Sequence, residues 1–211
     1  MESALRQGGG QPGLKLIETL AWDGAALQRG PRHLDRLARS AAMLGWDCDT
    51  DAARAALLRG RAGPARLRLT LDAQGRVEVA AAPLVPVVGP WRLGLAATRL
   101  SSTDPWLGVK STNRAAHDAA RAALPAGIDE TLFLNEAGQV CEGTITSVFF
   151  DDGGGLSTPP LSAGLLPGIL RAELVETGQA RERHLGAGDL PHIRLWVGNS
   201  LRGLVPALWS G

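Results

Sequence analysis

Lysine is scarce in this 211-residue chain: only Lys15 and Lys110 stand beside twenty arginines. An arginine guanidinium stays protonated in proteins, whereas a lysine amine made neutral by burial or a neighbouring positive charge attacks a carbonyl carbon. Lys110 sits in Leu107-Gly108-Val109-Lys110-Ser111-Thr112-Asn113, at the mouth of a predicted helix. It is the first candidate for covalent chemistry; the alternative is a solvated lysine stranded in an arginine-rich composition. A second candidate is Glu142, an isolated carboxylate between Val140-Cys141 and Gly143-Thr144-Ile145. In so apolar a setting it needs a cation or a strong donor, unless it lies on the wet face of an edge strand. Gly143 is of the type that permits close approach by a ligand or another backbone. A third group is Leu165-Leu166-Pro167-Gly168-Ile169-Leu170-Arg171. A helix opening near Gly168 leaves the amides of Ile169 and Leu170 as unpaired donors at the positive end of a dipole, which suits phosphate. Many helices that open with Pro and Gly bind nothing.

The elements that must position these groups alternate between strand and helix. Leu14 to Trp22 reads as a strand closed by Asp23-Gly24. A helix from about Arg32 to Gly45 carries Leu34, Leu37, Ala38, Ala41 and Leu44 on one face and stops at Gly45. Asp49 or Thr50 caps a second helix through Leu58. Ala65 to Leu71 and Arg76 to Ala82 form a hairpin whose first strand alternates arginine or threonine with leucine, one face wet and one packed. After a proline-rich stretch come a strand from Trp91 to Ala97 and an aperiodic loop, Arg99 to Gly108. Beyond it the pattern predicts a helix from Thr112 to Ala123, strands at 131–134, 140–142 and 146–150, a helix from Ile169 to about Glu176, and strands at 193–199 and 204–208. The expected organisation is a small N-terminal α/β domain over 1–98, an interdomain loop over 99–105 and a larger C-terminal domain over 106–211 carrying Lys110.

Composition narrows the function classes. With 21 acidic residues interleaved among the basic ones and a formal charge of +1, no basic tract invites nucleic acid or a membrane surface. Cys48 and Cys141 lie far apart without a CxxC or a His/Cys cluster, so neither a disulfide framework nor a metal site is indicated. The polar, Gly-rich start has no signal-peptide core, and a reducing cytoplasm is the default compartment.

A neutralisable lysine, an embedded carboxylate and a helix N-terminus are together what holds pyridoxal phosphate: an anchor for its aldehyde, a partner for its ring nitrogen and a cradle for its phosphate. In the order Arg32-His33-Leu34-Asp35-Arg36-Leu37, Lys110-Ser111-Thr112-Asn113-Arg114, Glu142-Gly143-Thr144 and Leu165 to Arg171, the sequence resembles the class IV aminotransferases, the fold type IV pyridoxal phosphate enzymes. The likeness runs from about Leu14 to Ala207. Within that family the ending Leu195 to Pro206 looks like the 4-amino-4-deoxychorismate lyase group; branched-chain and D-amino acid transaminases usually carry a Thr/Ser-rich turn there. The chain starts near the Ile17-Glu18-Thr19-Leu20 strand, as lyase-like domains do, without the opening strands of a full-length member.

The resemblance implies an α/β (α+β) fold of two domains with the cofactor between them, the second a barrel-like sheet, assembled as a homodimer. It implies that Lys110 binds the cofactor covalently, that Glu142 pairs with the ring nitrogen, and that Arg36 and the amides of Ile169 and Leu170 bind the phosphate with Asn199 and Ser200 nearby. Thr19 and Arg202 are candidate substrate contacts, Arg202 because a guanidinium fork suits a carboxylate; the alternative for Arg202 is a charge on the rim. For Arg36 a second reading stands, an arginine on the helix flank that simply meets water. Ser147 replaces a frequent Asn, His117 a frequent Tyr, and the chain has no tyrosine; His117 reads as a surface or packing histidine. The expected activity is conversion of 4-amino-4-deoxychorismate to 4-aminobenzoate and pyruvate. The alternatives are transamination of branched-chain or D-amino acids with an oxo acid, and a non-catalytic binding module.

Overall fold

The structure is a computed structural model that describes residues 2–60 and 62–211. Two compact units divide the chain. The first comprises Met1–Val85 and Val109–Asn113, the second Pro86–Gly108 and Arg114–Gly211. The expected division at 99–105 placed residues 86–98 before the boundary and Lys110 after it; here 86–98 cluster with the second unit and the lysine segment with the first.

In the first unit, α1 (Glu2–Gly8) leads to β1 (Lys15–Trp22), α2 (Gly30–Leu44) and α3 (Thr50–Leu58), followed by the hairpin β2 (Ala65–Asp72) and β3 (Val77–Pro83). The sheet is antiparallel throughout, in the order β1-β2-β3. Leu67, Leu69 and Leu71 are wholly buried, as the alternation in β2 predicts, and each such leucine contributes about 1.5–3 kcal/mol. Asp49 caps α3 by accepting from the Ala52 amide at 2.9 Å, and Gly45 closes α2 at φ 74°, a left-handed conformation that favours glycine.

Two local expectations change. The buried stripe of α2 is His33, Arg36, Leu37, Ser40, Ala41 and Leu44, rotated from the predicted leucine face so that Leu34 is only half-buried. Arg36 is therefore not a flank arginine that meets water, because an ion pair beneath the helix draws it inward. The predicted helix start at Thr112 is also displaced. Ile17 N–H donates to the Lys110 carbonyl at 2.8 Å and Thr112 N–H to the Lys15 carbonyl at 2.8 Å, with Leu16 bridged to Ser111. These bonds hold 110–112 extended along β1, and α4 begins only at Ala115 (Ala115–Ala122).

The second unit is built on β4 (Trp91–Leu95), β5 (Glu130–Leu134), β6 (Val140–Gly143), β7 (Ser147–Asp151), β8 (Ser157–Thr158), α5 (Ile169–Glu176), β9 (Arg181–Glu182), β10 (Arg194–Asn199) and β11 (Gly203–Trp209). Strands β10-β11-β4-β5-β6-β7 run in that order, and pairing of β10 back onto β7 closes a six-stranded barrel-like sheet, to which β8 and β9 are appended. Closure leaves those six strands without a free edge. Leu132, Leu134, Val148, Phe150, Leu195, Val197, Val205 and Ala207, alternating along their strands, form one core. On the opposite face Phe149 packs with Leu170 and Leu174 of α5, and Phe133 with Cys141 and Leu165. Both faces are covered, which is why β5 and β7 read as nearly continuous apolar runs. Among the described residues, no helix is long and apolar enough to cross a membrane.

Candidate active site

In the first unit the candidate residues gather on β1. Lys110 is fixed through its carbonyl to Ile17, and the next residue, Glu18, turns its carboxylate to α2. Arg36 Nε donates to Glu18 Oε1 at 2.8 Å and Nη2 to Oε2 at 2.7 Å. His33 Nδ1 lies 2.6 Å from Oε2, so its proton sits on Nδ1, since an ionised carboxylate only accepts. Burial alone would raise the pKa of Glu18. The Arg36 charge and hydrogen bonds, joined by those of His33, outweigh it and hold the carboxyl down at about 2. The pair fixes the plane of the Arg36 fork. Thr19 is the following residue of β1, half-buried and opposite Arg68 in the ladder.

In the second unit the candidates converge from three turns. Two residues of β5, Leu132 and Leu134, oppose Gly143 and Val140 of β6, which are three positions apart. The extra residue is a bulge that breaks the alternation between Val140 and Gly143 and re-aims Glu142. Its Oε1 lies 3.0 Å from His117 Nε2, and its Oε2 accepts the Leu166 amide at 3.2 Å. His117 comes from α4 and rests on Phe133, ring centroids 4.7 Å apart. Among the described residues no arginine or lysine pairs with Glu142, which is 7% exposed. The neighbouring Cys141 is no nucleophile: burial, reinforced by the charges of Glu142 and Glu136, pushes its thiol up to about 12.

Ile169 and Leu170 open α5 after its N-cap, Gly168, which has no side chain with which to cap that end. A Cβ on Gly168 would stand 2.6 Å from Ser147 Oγ, and one on Gly198 would stand 2.9 Å from Leu170 Cδ2. These two glycines bring the first turn of α5 against β7 and β10. Asn199 Oδ1 accepts the amides of Leu201 and Arg202 at 3.1 and 3.0 Å, and its Nδ2 donates to the Ile145 carbonyl at 3.0 Å. Its side chain is thus committed to shaping the β10–β11 turn, which also carries buried Ser200. Arg202 lays its guanidinium over Trp91, 5.4 Å from the ring centroid.

The turn between β6 and β7 is held by a residue the sequence did not single out. Glu130, fully buried, accepts from the amides of Thr131, Thr144 and Ile145 and the hydroxyls of Thr144 and Thr146 at 2.5–3.2 Å. A Cβ on Gly143 would lie 2.4 Å from Thr146 Oγ1 and 2.9 Å from Glu130, so glycine there serves this packing. His117, Glu18 and His33 were likewise missed as site-building residues. Only the polar identities along α2 hinted at a buried cluster. A buried carboxylate with acceptor capacity left suits a protonated aromatic nitrogen, and a helix start led by glycine suits a phosphate. Among the described residues no cluster of three or more metal-ligating side chains occurs.

Comparison with known proteins gives this geometry a context. The family model described as "Amino-transferase class IV" matches residues 15–208. The chain is 33% identical over 180 residues to the Schizosaccharomyces pombe protein named "Putative aminodeoxychorismate lyase", an alignment covering 81% of this chain and 77% of that one. Among solved structures, the Mesorhizobium loti protein named "Putative amino-acid aminotransferase" superimposes with a TM-score of 0.89 at 43% identity, covering 93% of this chain and 100% of that one. The 4-amino-4-deoxychorismate lyase of Pseudomonas aeruginosa superimposes with a TM-score of 0.74 at 28% identity, covering 92% and 83%.

Proposed function

Because the chain belongs to the class IV aminotransferase family, whose members are pyridoxal phosphate-dependent enzymes, we propose that it is a lyase converting 4-amino-4-deoxychorismate to 4-aminobenzoate and pyruvate. The observation that carries the reading is Glu142, a buried carboxylate with one donor on each oxygen and lone pairs remaining on both. That donor set fits a protonated pyridine nitrogen, and the start of α5, whose N-cap Gly168 has no side chain, fits a phosphate. The relatives that carry the lyase name support the substrate.

Bound pyridoxal phosphate supplies an aldehyde that takes up amines and a protonated ring that withdraws electrons from the adjacent carbon. Lys110 would hold the aldehyde, and its amine would take the proton from the substrate carbon bearing nitrogen. Glu142 keeps the proton on the ring nitrogen. Arg36, oriented by Glu18 and His33, would offer its guanidinium to phosphate oxygens; the amides of Ile169 and Leu170 are phosphate donors in their own unit, where Asn199 shapes the turn that carries Ser200. Thr19 and Arg202 contact the substrate, Arg202 through a carboxylate. Departure of the enolpyruvyl group as pyruvate leaves an aromatic product, so no second substrate is consumed. The proposal includes a homodimer in a reducing cytoplasm.

One observation favours a second reading, transamination: the 43% identical neighbour carries an aminotransferase name. Protein mixed with pyridoxal phosphate is expected to develop a visible absorption band that Lys110→Ala abolishes, and to release pyruvate from 4-amino-4-deoxychorismate without an oxo acid. No pyruvate, together with exchange of an amino acid against 2-oxoglutarate, would replace the lyase by the transaminase. No visible band at all would leave a binding module.

A further inference from the structure

We infer that His117 is a positioning residue for Glu142: it sets the direction in which that carboxylate meets a protonated ring nitrogen. The inference rests on the pyridoxal phosphate reading above. His117 is the anomaly of α4, a helix of mostly small residues in which no residue is fully buried; its side chain is nonetheless only 12% exposed. An imidazole taken from water needs a partner for its N–H. Here Nε2 finds Glu142 Oε1 at 3.0 Å while the ring is clamped on Phe133. Because an ionised carboxylate donates nothing, the proton of this bond belongs to Nε2.

The geometry of Glu142 explains why such a partner matters. A glutamate has three rotatable bonds ahead of its carboxylate, and the bulge in β6 that re-aims it fixes none of them. The Leu166 amide holds Oε2, and a single bond leaves the carboxylate free to swing about it. The second bond, from His117 to Oε1, defines its plane. A preorganised acceptor loses less freedom when a cation arrives, and it favours a ligand with an N–H at that position over one without. Packing alone would favour neither.

The test compares binding of pyridoxal phosphate with that of 1-deazapyridoxal phosphate, which has carbon in place of the ring nitrogen, followed by quenching of tryptophan fluorescence. Wild-type protein is expected to prefer the natural cofactor. His117→Phe, which keeps the contact with Phe133 but cannot donate, is expected to weaken pyridoxal phosphate binding about tenfold or more, as for a lost hydrogen bond to a charged group. Its affinity for the deaza analogue should stay within about twofold of wild type. His117→Gln, which restores an N–H donor, should recover most of the preference. Equal losses for both ligands in His117→Phe, or an unchanged preference, overturn the inference and leave the cofactor reading standing. Wild-type protein that binds pyridoxal phosphate no better than the deaza analogue overturns the role of Glu142 and the inference with it.

Discussion

Glu130 and Glu142 sit on adjacent strands of one sheet, both buried, and their surroundings are opposite. Glu130 is fully enclosed, with five donors converging on its two oxygens and the Arg121 guanidinium 3.6 Å away. Glu142 has one donor on each oxygen, and no arginine or lysine among the described residues pairs with it. A carboxylate whose lone pairs are consumed by its own fold builds structure; one that is desolvated yet left with acceptor capacity is poised for a cation from outside. The same side chain thus does two jobs, and the count of donors distinguishes them.

Three experiments probe that contrast. The largest effect is expected from Glu130→Gln, which turns an amide NH2 toward a nest of donors. Removing one side of so interlocked a buried network costs about 3–5 kcal/mol, a fall in Tm on the order of 10 °C for a chain of this size, measured by calorimetry on cofactor-free protein. A fall of only a degree or two would dissolve the distinction from the structural side. Glu142→Gln should behave in reverse, with Tm within about 2 °C of wild type but kcat/KM for pyruvate release reduced roughly 10²–10³-fold, the usual loss for a preorganised electrostatic group. Retained activity would show that the open carboxylate is idle.

Glu18 in the first unit sharpens the comparison from another direction, because its charge is balanced internally by Arg36. Its carboxyl is held at about 2 against an ordinary 4.5. A lowered folded-state pKa contributes stability that is complete above the unfolded value and drains away as pH falls through the folded one. Urea midpoints should therefore decline between pH 4.5 and 2 more steeply for wild type than for Glu18→Gln, the two curves approaching each other at the acid end. Parallel curves would mean that the Glu18–Arg36 pair is not formed.

Much of this was legible in the residues. Period-two and helical patterns located β1, β2, α3 and α5, because each buries one regular face and its caps and glycines are local. The scarcity of lysine and the isolation of Glu142 marked both candidates for chemistry, since those arguments need only residue type and neighbours along the chain. The segment at 110–112 reads as the threshold of a helix but is extended, because its hydrogen bonds run to β1, nearly a hundred residues earlier. Arg36 was equally ambiguous: helical periodicity sees polarity and cannot see the Glu18 that makes burying an arginine favourable.

What the sequence determined by itself, then, is the list of candidates: one scarce lysine, one isolated acid, one helix start led by glycine, one guanidinium. What only the tertiary structure decided is which acids are saturated and which remain open. Donor counts at Glu18, Glu130 and Glu142 depend on a β6 bulge, on the turn at 143–146 and on helices distant along the chain. Hydrogen bonding is short-ranged and directional, so those partners exist only once long-range packing has brought them within about 3 Å.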